Sequence, residues 1–237
     1  MGIAFLPIDL DYKLPDETDF LNYLDSIPEL VIKNDKVSKV SYWKKYLVCS
    51  TLSPEEFNDL ESIMQFMKVK SVYTGKPLHI YNQIDKKYPD LIPAIKSLPL
   101  KEISLAFFLR QVTEVELHQD IEEDEVYDAD IIKPNDSNGI WLEPKRYNIL
   151  MTKHNYKSFY FSPDCTGSTK CYPQITRDSP AFALSNNQFW HGANYVGPDK
   201  VQLLIIGAID VQKHQAFIKQ QYNKYKNSGR IIEFKND

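Results

Sequence analysis

The sequence contains few cysteines, no long apolar run and no excess of positive charge. Three cysteines in 237 residues cannot form the disulfide framework of a small secreted domain, which favours an intracellular, cytoplasmic protein. No run approaches the roughly eighteen apolar residues of a membrane span, and the first residues lack the basic and apolar regions of a signal peptide. The net charge of -4 argues against a nucleic-acid-binding protein.

The composition that remains is that of a globular protein rich in aromatic side chains. Hydrophobic residues make up 43% of the chain and charged residues 25%, which excludes a disordered or fibrous protein. The length suits one domain with additions, or a core domain with a smaller cap. Aromatic residues reach 13%, and many of them fall in short alternating runs in the second half, which favours a β-sheet there.

The first hundred residues contain mainly helical patterns. Apolar residues recur on one helical face between Asp16 and Ile27. Ser53 and Glu56 are spaced as in a capping box, with apolar residues at helical spacing after them, and residues 89–97 resemble a short third helix. We therefore expect residues 1–100 to form a mostly helical region that packs on a core of residues 101–237.

The second half contains short apolar or alternating runs that predict strands, followed by one helix. Turn-rich loops between such strands are typical of a sandwich or jelly roll. The predicted strands are residues 103–109, 112–118, 147–151, 158–161, 181–184 and 201–206, and the predicted helix is residues 212–226.

One long connection in this half is strongly acidic. Residues 121–145 hold eight acidic and two basic residues, a net charge of -6. Connections of this length inside a compact domain are uncommon and often functional. The segment is either a solvated surface loop or a lid over an active site, and its charge hints at a cationic substrate.

His118 and Asp120 end the alternating strand and are two residues apart, so both lie on the same side of an extended chain. His191 follows 73 residues after His118, and Lys200 follows nine residues after His191. Two histidines and one carboxylate on a β-scaffold form a facial triad, which leaves three open positions on an octahedral Fe(II) ion. A nearby cation would anchor the carboxylate of a chelating cosubstrate.

This order of residues resembles the Fe(II)/2-oxoglutarate-dependent dioxygenase superfamily over about residues 101–212. Residues 146–150 and 182–192 are similar to the strands of its aspartyl/asparaginyl-hydroxylase-like branch and related branches. The resemblance implies a double-stranded β-helix, a cupin-like jelly roll, as the core. Its expected activity is hydroxylation of a small molecule, an amino acid or a peptide side chain, with release of succinate and CO₂.

The resemblance also implies roles for individual residues. His118, Asp120 and His191 would bind Fe(II), and 2-oxoglutarate would be the cosubstrate. Lys200 stands where most members have arginine and is the expected anchor of the distal carboxylate, with Arg146 as the competing residue. Asn148 and Gln202 would point inward and hydrogen-bond the cosubstrate.

Two other functional classes stay open. One is a cupin-like metal enzyme of another class, such as an isomerase or hydrolase that uses Zn or Mn. The other is a catalytically silent barrel that binds a protein. The remaining expectations are that His79 and His214 lie on the surface, and that Cys165 and Cys171 are reduced loop thiols. We expect a small-molecule or peptide substrate, with no nucleic acid or membrane as partner.

Overall fold

The computed structural model describes residues 2–30, 42–120, 146–152, 158–184 and 188–234. The acidic connection of residues 121–145 lies outside these ranges, so the prediction of a lid falls outside the described structure. Within them the chain is mainly β, with two antiparallel sheets of eight and three strands and a few helices. This confirms the expected class of a mainly β protein with flanking helices.

The elements alternate between strands and short helices along the chain. The helices are α1 (Glu17–Ser26), α2 (Leu60–Val69), α3 (Ile84–Lys87), α4 (Leu91–Lys96) and α5 (Val211–Tyr225), with a 3₁₀ turn at Glu56–Asn58. The strands are β1 (Gly2–Pro7), β2 (Trp43–Ser50), β3 (His79–Ile80), β4 (Leu100–Gln111), β5 (Val115–His118), β6 (Arg146–Leu150), β7 (Tyr160–Ser162), β8 (Ala181–Leu184), β9 (Trp190–Ala193), β10 (Val201–Ile209) and β11 (Ile232–Phe234).

The chain passes back and forth between the two sheets. The large sheet has the order β11-β1-β8-β6-β10-β4-β2-β3, and the small sheet has the order β5-β9-β7. From β4 to β10, each successive strand therefore belongs to the other sheet. As a result, residues far apart in sequence become neighbours on adjacent strands.

The first hundred residues contain strands as well as helices, and the sequence analysis missed these strands. β1 pairs with β8 and β11, and β2 pairs with β4, so both are built into the large sheet. α1 is confirmed, with Asp16 accepting hydrogen bonds from the backbone N–H groups of residues 18 and 19. The bonds expected between Ser53 and Glu56 are present, but only a 3₁₀ turn follows, and α2 begins after a new cap at Asp59.

Alternation along the strands divides the apolar residues of the large sheet between two faces. One face packs against α1, α4 and α5, in a cluster that includes Phe20, Ile95 and Ile218. The other face packs partly against α2 and partly against the small sheet. The cavity described below lies on this second face.

His214 was expected on the surface, and that expectation is wrong. Only 1% of His214 is exposed, because α5 turns this residue toward the large sheet. Its Nδ1 atom lies 2.7 Å from the hydroxyl of Tyr147 on β6. The pair supplies a polar contact inside an otherwise apolar interface.

None of the helices in the described part of the chain is both long enough and apolar enough to cross a membrane.

Candidate metal centre

Strands β5 and β9 bring together the three residues that the sequence predicts as metal ligands. His118 and His191 are directly opposite each other in the antiparallel pair, with ring centroids 4.4 Å apart. Asp120 follows β5; its Oδ1 atom is 3.5 Å from His118 Nε2 and its Oδ2 atom 4.0 Å from His191 Nε2. One ligand atom from each residue lies within 4.8 Å of those from the others, so the three could hold one metal ion.

Backbone carbonyl groups orient both imidazole rings. His118 Nδ1 lies 2.7 Å from the carbonyl oxygen of Glu116, and His191 Nδ1 lies 3.2 Å from that of Phe189. A carbonyl oxygen can only accept, so the geometry assigns the proton of each neutral ring to Nδ1. The Nε2 lone pairs are then directed to the side where Asp120 lies, as in ligands fixed by a second layer of hydrogen bonds.

The two histidines differ in their environment. Burial lowers the pKa of His191 to about 4, so its ring is neutral at pH 7. A hydrogen bond with Asp120 raises the pKa of His118 above its usual value. The Asp120 carboxylate thus stabilises the protonated form of His118, with the positive charge located where a metal cation would bind.

Arg146 joins this group from the other sheet. It begins β6 of the large sheet, and its Nη1 atom donates a 2.6 Å hydrogen bond to Asp120 Oδ2. A charge-assisted bond of this length fixes the carboxylate in one orientation. The contact also connects the segment after β5 with the large sheet.

A cavity of about 580 Å³ extends from the three ligands along the large sheet. Its size is typical of sites for small molecules. Three of the residues that the sequence predicts to bind a cosubstrate line this cavity: Arg146, Asn148 and Gln202. Asn148 Nδ2 and Gln202 Oε1 are buried and have no hydrogen-bond partner among the described residues. Polar atoms of this kind are suited to a polar ligand.

Lys200 differs from the other three predicted cosubstrate residues because it is not among the residues that line the cavity. It is fully buried, and its Nζ atom donates a 2.7 Å hydrogen bond to the carbonyl oxygen of Ser158. The ammonium also lies 3.8 Å from the ring centroid of Phe159, which does line the cavity. Burial lowers the pKa of Lys200 well below its usual range.

Lys45 lines the cavity, although the sequence analysis did not select it. It lies on β2, a strand that was not predicted, and follows another lysine, so the pair resembles a solvated surface. The available signal was the alternation of Trp43, Lys45 and Leu47 in a run rich in aromatic and branched residues. Such alternation places all three side chains on one face.

Comparison with models of known protein families and with curated protein sequences gives no match. Two imidazole nitrogens and one carboxylate, with room beside them, are typical of non-haem Fe(II) oxygenases.

Proposed function

We propose that this protein is an Fe(II)- and 2-oxoglutarate-dependent oxygenase. The observation that carries the proposal is the convergence of His118, Asp120 and His191, the residue types of a facial triad, in the wall of one cavity. The order of these residues along the chain supports the same function through the family resemblance.

The path of the chain supports a double-stranded β-helix as the core. In that architecture successive strands alternate between two facing sheets, and β4 to β10 follow this rule without exception. The metal ligands then lie on two neighbouring strands of the smaller sheet and just after one of them.

The residues present fit both groups that the activity requires. His118, Asp120 and His191 would hold Fe(II), and the unsatisfied Nδ2 group of Asn148 offers a hydrogen bond to an oxygen of 2-oxoglutarate. Bound iron and 2-oxoglutarate would supply the oxidising chemistry with O₂ as the oxidant, one oxygen atom going to succinate, which forms with CO₂, and the other to the substrate.

The protein itself orients the metal ligands and supplies charged groups beside them. The carbonyl groups of Glu116 and Phe189 hold the two rings, and Arg146 holds the carboxylate of Asp120. Apolar side chains form much of the cavity wall and would limit the access of water to a bound substrate. The substrate of this reaction is a small molecule, an amino acid or a peptide side chain.

The test is an anaerobic titration of the Fe(II)-loaded protein with 2-oxoglutarate. We expect a visible charge-transfer band from the chelate, and slow succinate formation when O₂ is admitted. Asp120→Ala should abolish both, whereas Glu114→Ala, at an exposed position of the same segment, should leave both unchanged.

Metal binding without a 2-oxoglutarate band would instead favour a cupin-like isomerase or hydrolase that uses Zn or Mn. Failure to bind any divalent metal ion would favour a catalytically silent binding protein.

A further inference from the structure

The cavity continues beyond the metal ligands into a section with apolar walls. Leu105 and Phe107 on β4 and Leu204 on β10 form one wall, and Ile63 and Phe66 on α2 pack in the same cluster and line the same cavity. None of these side chains offers a hydrogen-bonding group. This apolar section is therefore suited to hydrocarbon and poorly suited to a charged or peptide-like ligand.

Among the described residues, two lysines line this cavity: Lys45 on β2, and Lys70 at the end of α2, which already has an interaction partner. Leu109 separates Lys45 from Gln202 in the pairing of β2, β4 and β10. The Nζ atom of Lys45 is 6.0 Å from the ring centroid of Phe107, and no carboxylate among the described residues is within ion-pair distance of it.

The environment of Lys45 is unfavourable for a charged group. Burial, and then the positive charge of Arg146, lower its pKa. A partly buried cation without an ion-pair partner costs free energy, and an anionic ligand would remove part of that cost. The surroundings of Lys45 therefore favour a ligand that carries an anionic group on an apolar body.

We propose that the apolar section of the cavity binds the hydrocarbon part of a carboxylic acid, and that Lys45 binds the carboxylate of this acid. The assignment rests on the proposed function in taking the acid as the substrate that is oxidised. The section is continuous with the metal ligands, so the hydrocarbon would extend toward them. An apolar acid fits this cavity better than the cationic substrate that the acidic connection suggests.

The carboxylate at Lys45 could also belong to 2-oxoglutarate, and the positions of the strands argue against this. β2 is separated from β6, which carries Arg146 and Asn148, by β10 and β4. Three strand spacings amount to about 14 Å between the backbones, although the side chain of Lys45 reaches far enough for the charge of Arg146 to lower its pKa. The Nζ atom of Lys45 lies beside the ring of Phe107 on β4, whereas the unsatisfied polar atoms of Asn148 and Gln202 belong to β6 and β10.

Binding of octanoate to the purified 237-residue chain tests the proposal by calorimetry, with no metal or 2-oxoglutarate added. We expect octanoate to bind, octylamine not to bind, and each CH₂ removed from the acid to weaken binding about three- to fourfold. Lys45→Met should raise the dissociation constant for octanoate at least tenfold. The matched control is Lys44→Met, because Lys44 is the adjacent, exposed lysine and pairs with Glu29.

Three results would overturn the proposal: no octanoate binding by the wild-type chain, equal binding of octanoate and octylamine, or an unchanged dissociation constant in folded Lys45→Met. In the iron-loaded protein, Lys45→Met should leave the 2-oxoglutarate band unchanged, and loss of that band would assign Lys45 to the cosubstrate instead. Octanoate binding is measured without metal, so its absence would reject only the proposed acid-binding site. The absence of succinate formation would instead reject the oxygenase function.

Discussion

At the scale of single residues, Lys200 combines complete burial with an incompletely satisfied ammonium group. Among the described residues its one hydrogen-bond acceptor is the carbonyl oxygen of Ser158, although an ammonium has three donors. The rings of Phe159 and Trp43 lie near it and supply only cation–π attraction. A carboxylate arriving beside Phe159 would satisfy the remaining donors, which keeps Lys200 as the predicted anchor of 2-oxoglutarate.

Kinetics can separate Lys200 from Arg146. Lys200→Ala should raise the KM for 2-oxoglutarate at least about tenfold, because one charge-assisted contact is lost. Its affinity for Fe(II) should not change. Arg146→Ala should weaken Fe(II) binding, because Arg146 holds Asp120 in place. If Lys200→Ala leaves the KM unchanged and Arg146→Ala raises it at saturating iron, Arg146 is the anchor.

The burial of Lys200 also has a consequence for stability. The pKa of Lys200 in the folded protein lies below the ordinary value of 10.5. At a pH between the folded-state pKa and 10.5, the unfolded chain therefore binds more protons than the folded chain. The free energy of unfolding therefore rises with pH through this interval and stops rising above about 10.5. The cost of the buried charge is largest below the folded-state pKa.

Lys200→Met removes that charge and should stabilise the protein without cosubstrate by about 1 kcal/mol or more at neutral pH. The difference from the wild type should shrink as the pH approaches 10. Urea unfolding of both proteins at pH 7 and pH 9.5 measures this. A variant that is less stable than the wild type at pH 7 would contradict the argument.

At the scale of elements, the close pairing of β9 with its neighbours sets the position of His191. Gly192 follows His191, and a Cβ atom there would lie 2.4 Å from the ring of Tyr160 and 2.8 Å from the carbonyl oxygen of Val115. Both distances are shorter than van der Waals contact. Any larger residue must therefore push β9 away from β7 or from β5, which carries His118.

Gly192→Ala should consequently raise the dissociation constant for Mn(II) at least about tenfold, because the two histidines no longer oppose each other. Gly229→Ala is a suitable control: its φ of +70° makes alanine strained there, yet a Cβ atom meets nothing within 4 Å. The control should lose stability and keep its metal affinity. Wild-type Mn(II) affinity in folded Gly192→Ala, measured by calorimetry, would refute this account.

The elements that the sequence predicts are those whose apolar pattern is local. β4, β6, β8 and β10 are nearly continuous apolar runs because both of their faces are covered, so they are visible without knowledge of the fold. β1 and β11 are short, and their pairing with each other joins opposite ends of the chain. That pairing depends on tertiary contacts and leaves no local signal.

The same distinction applies to the site. His118, Asp120 and His191 could be predicted because their residue types and order are distinctive. For Lys45 the alternation with Trp43 and Leu47 indicates only a shared face, because whether that face lines a cavity depends on what covers β2. The burial of His214 was not predicted for a related reason. Its helix has a weak apolar stripe, and its buried ring is paired with the hydroxyl of Tyr147, which is distant in sequence.

At the scale of the whole molecule, the metal ligands and the residue that orients them belong to both sheets. His118 and His191 lie on the small sheet, and Arg146 reaches Asp120 from the large sheet. A metal ion bound by the three ligands would favour the folded arrangement over an unfolded chain, in which these residues are far apart. Metal binding is therefore linked to global stability.

The expected size of this linkage follows from mass action. A metal ion at a hundred times its dissociation constant stabilises the folded state by about 2.7 kcal/mol. For a chain of this length, each kcal/mol shifts the melting temperature by about 2–4 °C, so Mn(II) should raise it by about 5–11 °C. Differential scanning fluorimetry with and without Mn(II) measures the shift.

The shift must depend on the three ligands if they form the site. Asp120→Ala should melt at a temperature that Mn(II) does not change, because two imidazoles alone provide too few ligands. Glu114→Ala retains all three ligands and should show the full wild-type shift. 2-Oxoglutarate should raise the melting temperature further only when the metal is present, since it chelates the metal. An equal shift by Mn(II) in the wild type and Asp120→Ala would place metal binding elsewhere and remove the basis for an oxygenase.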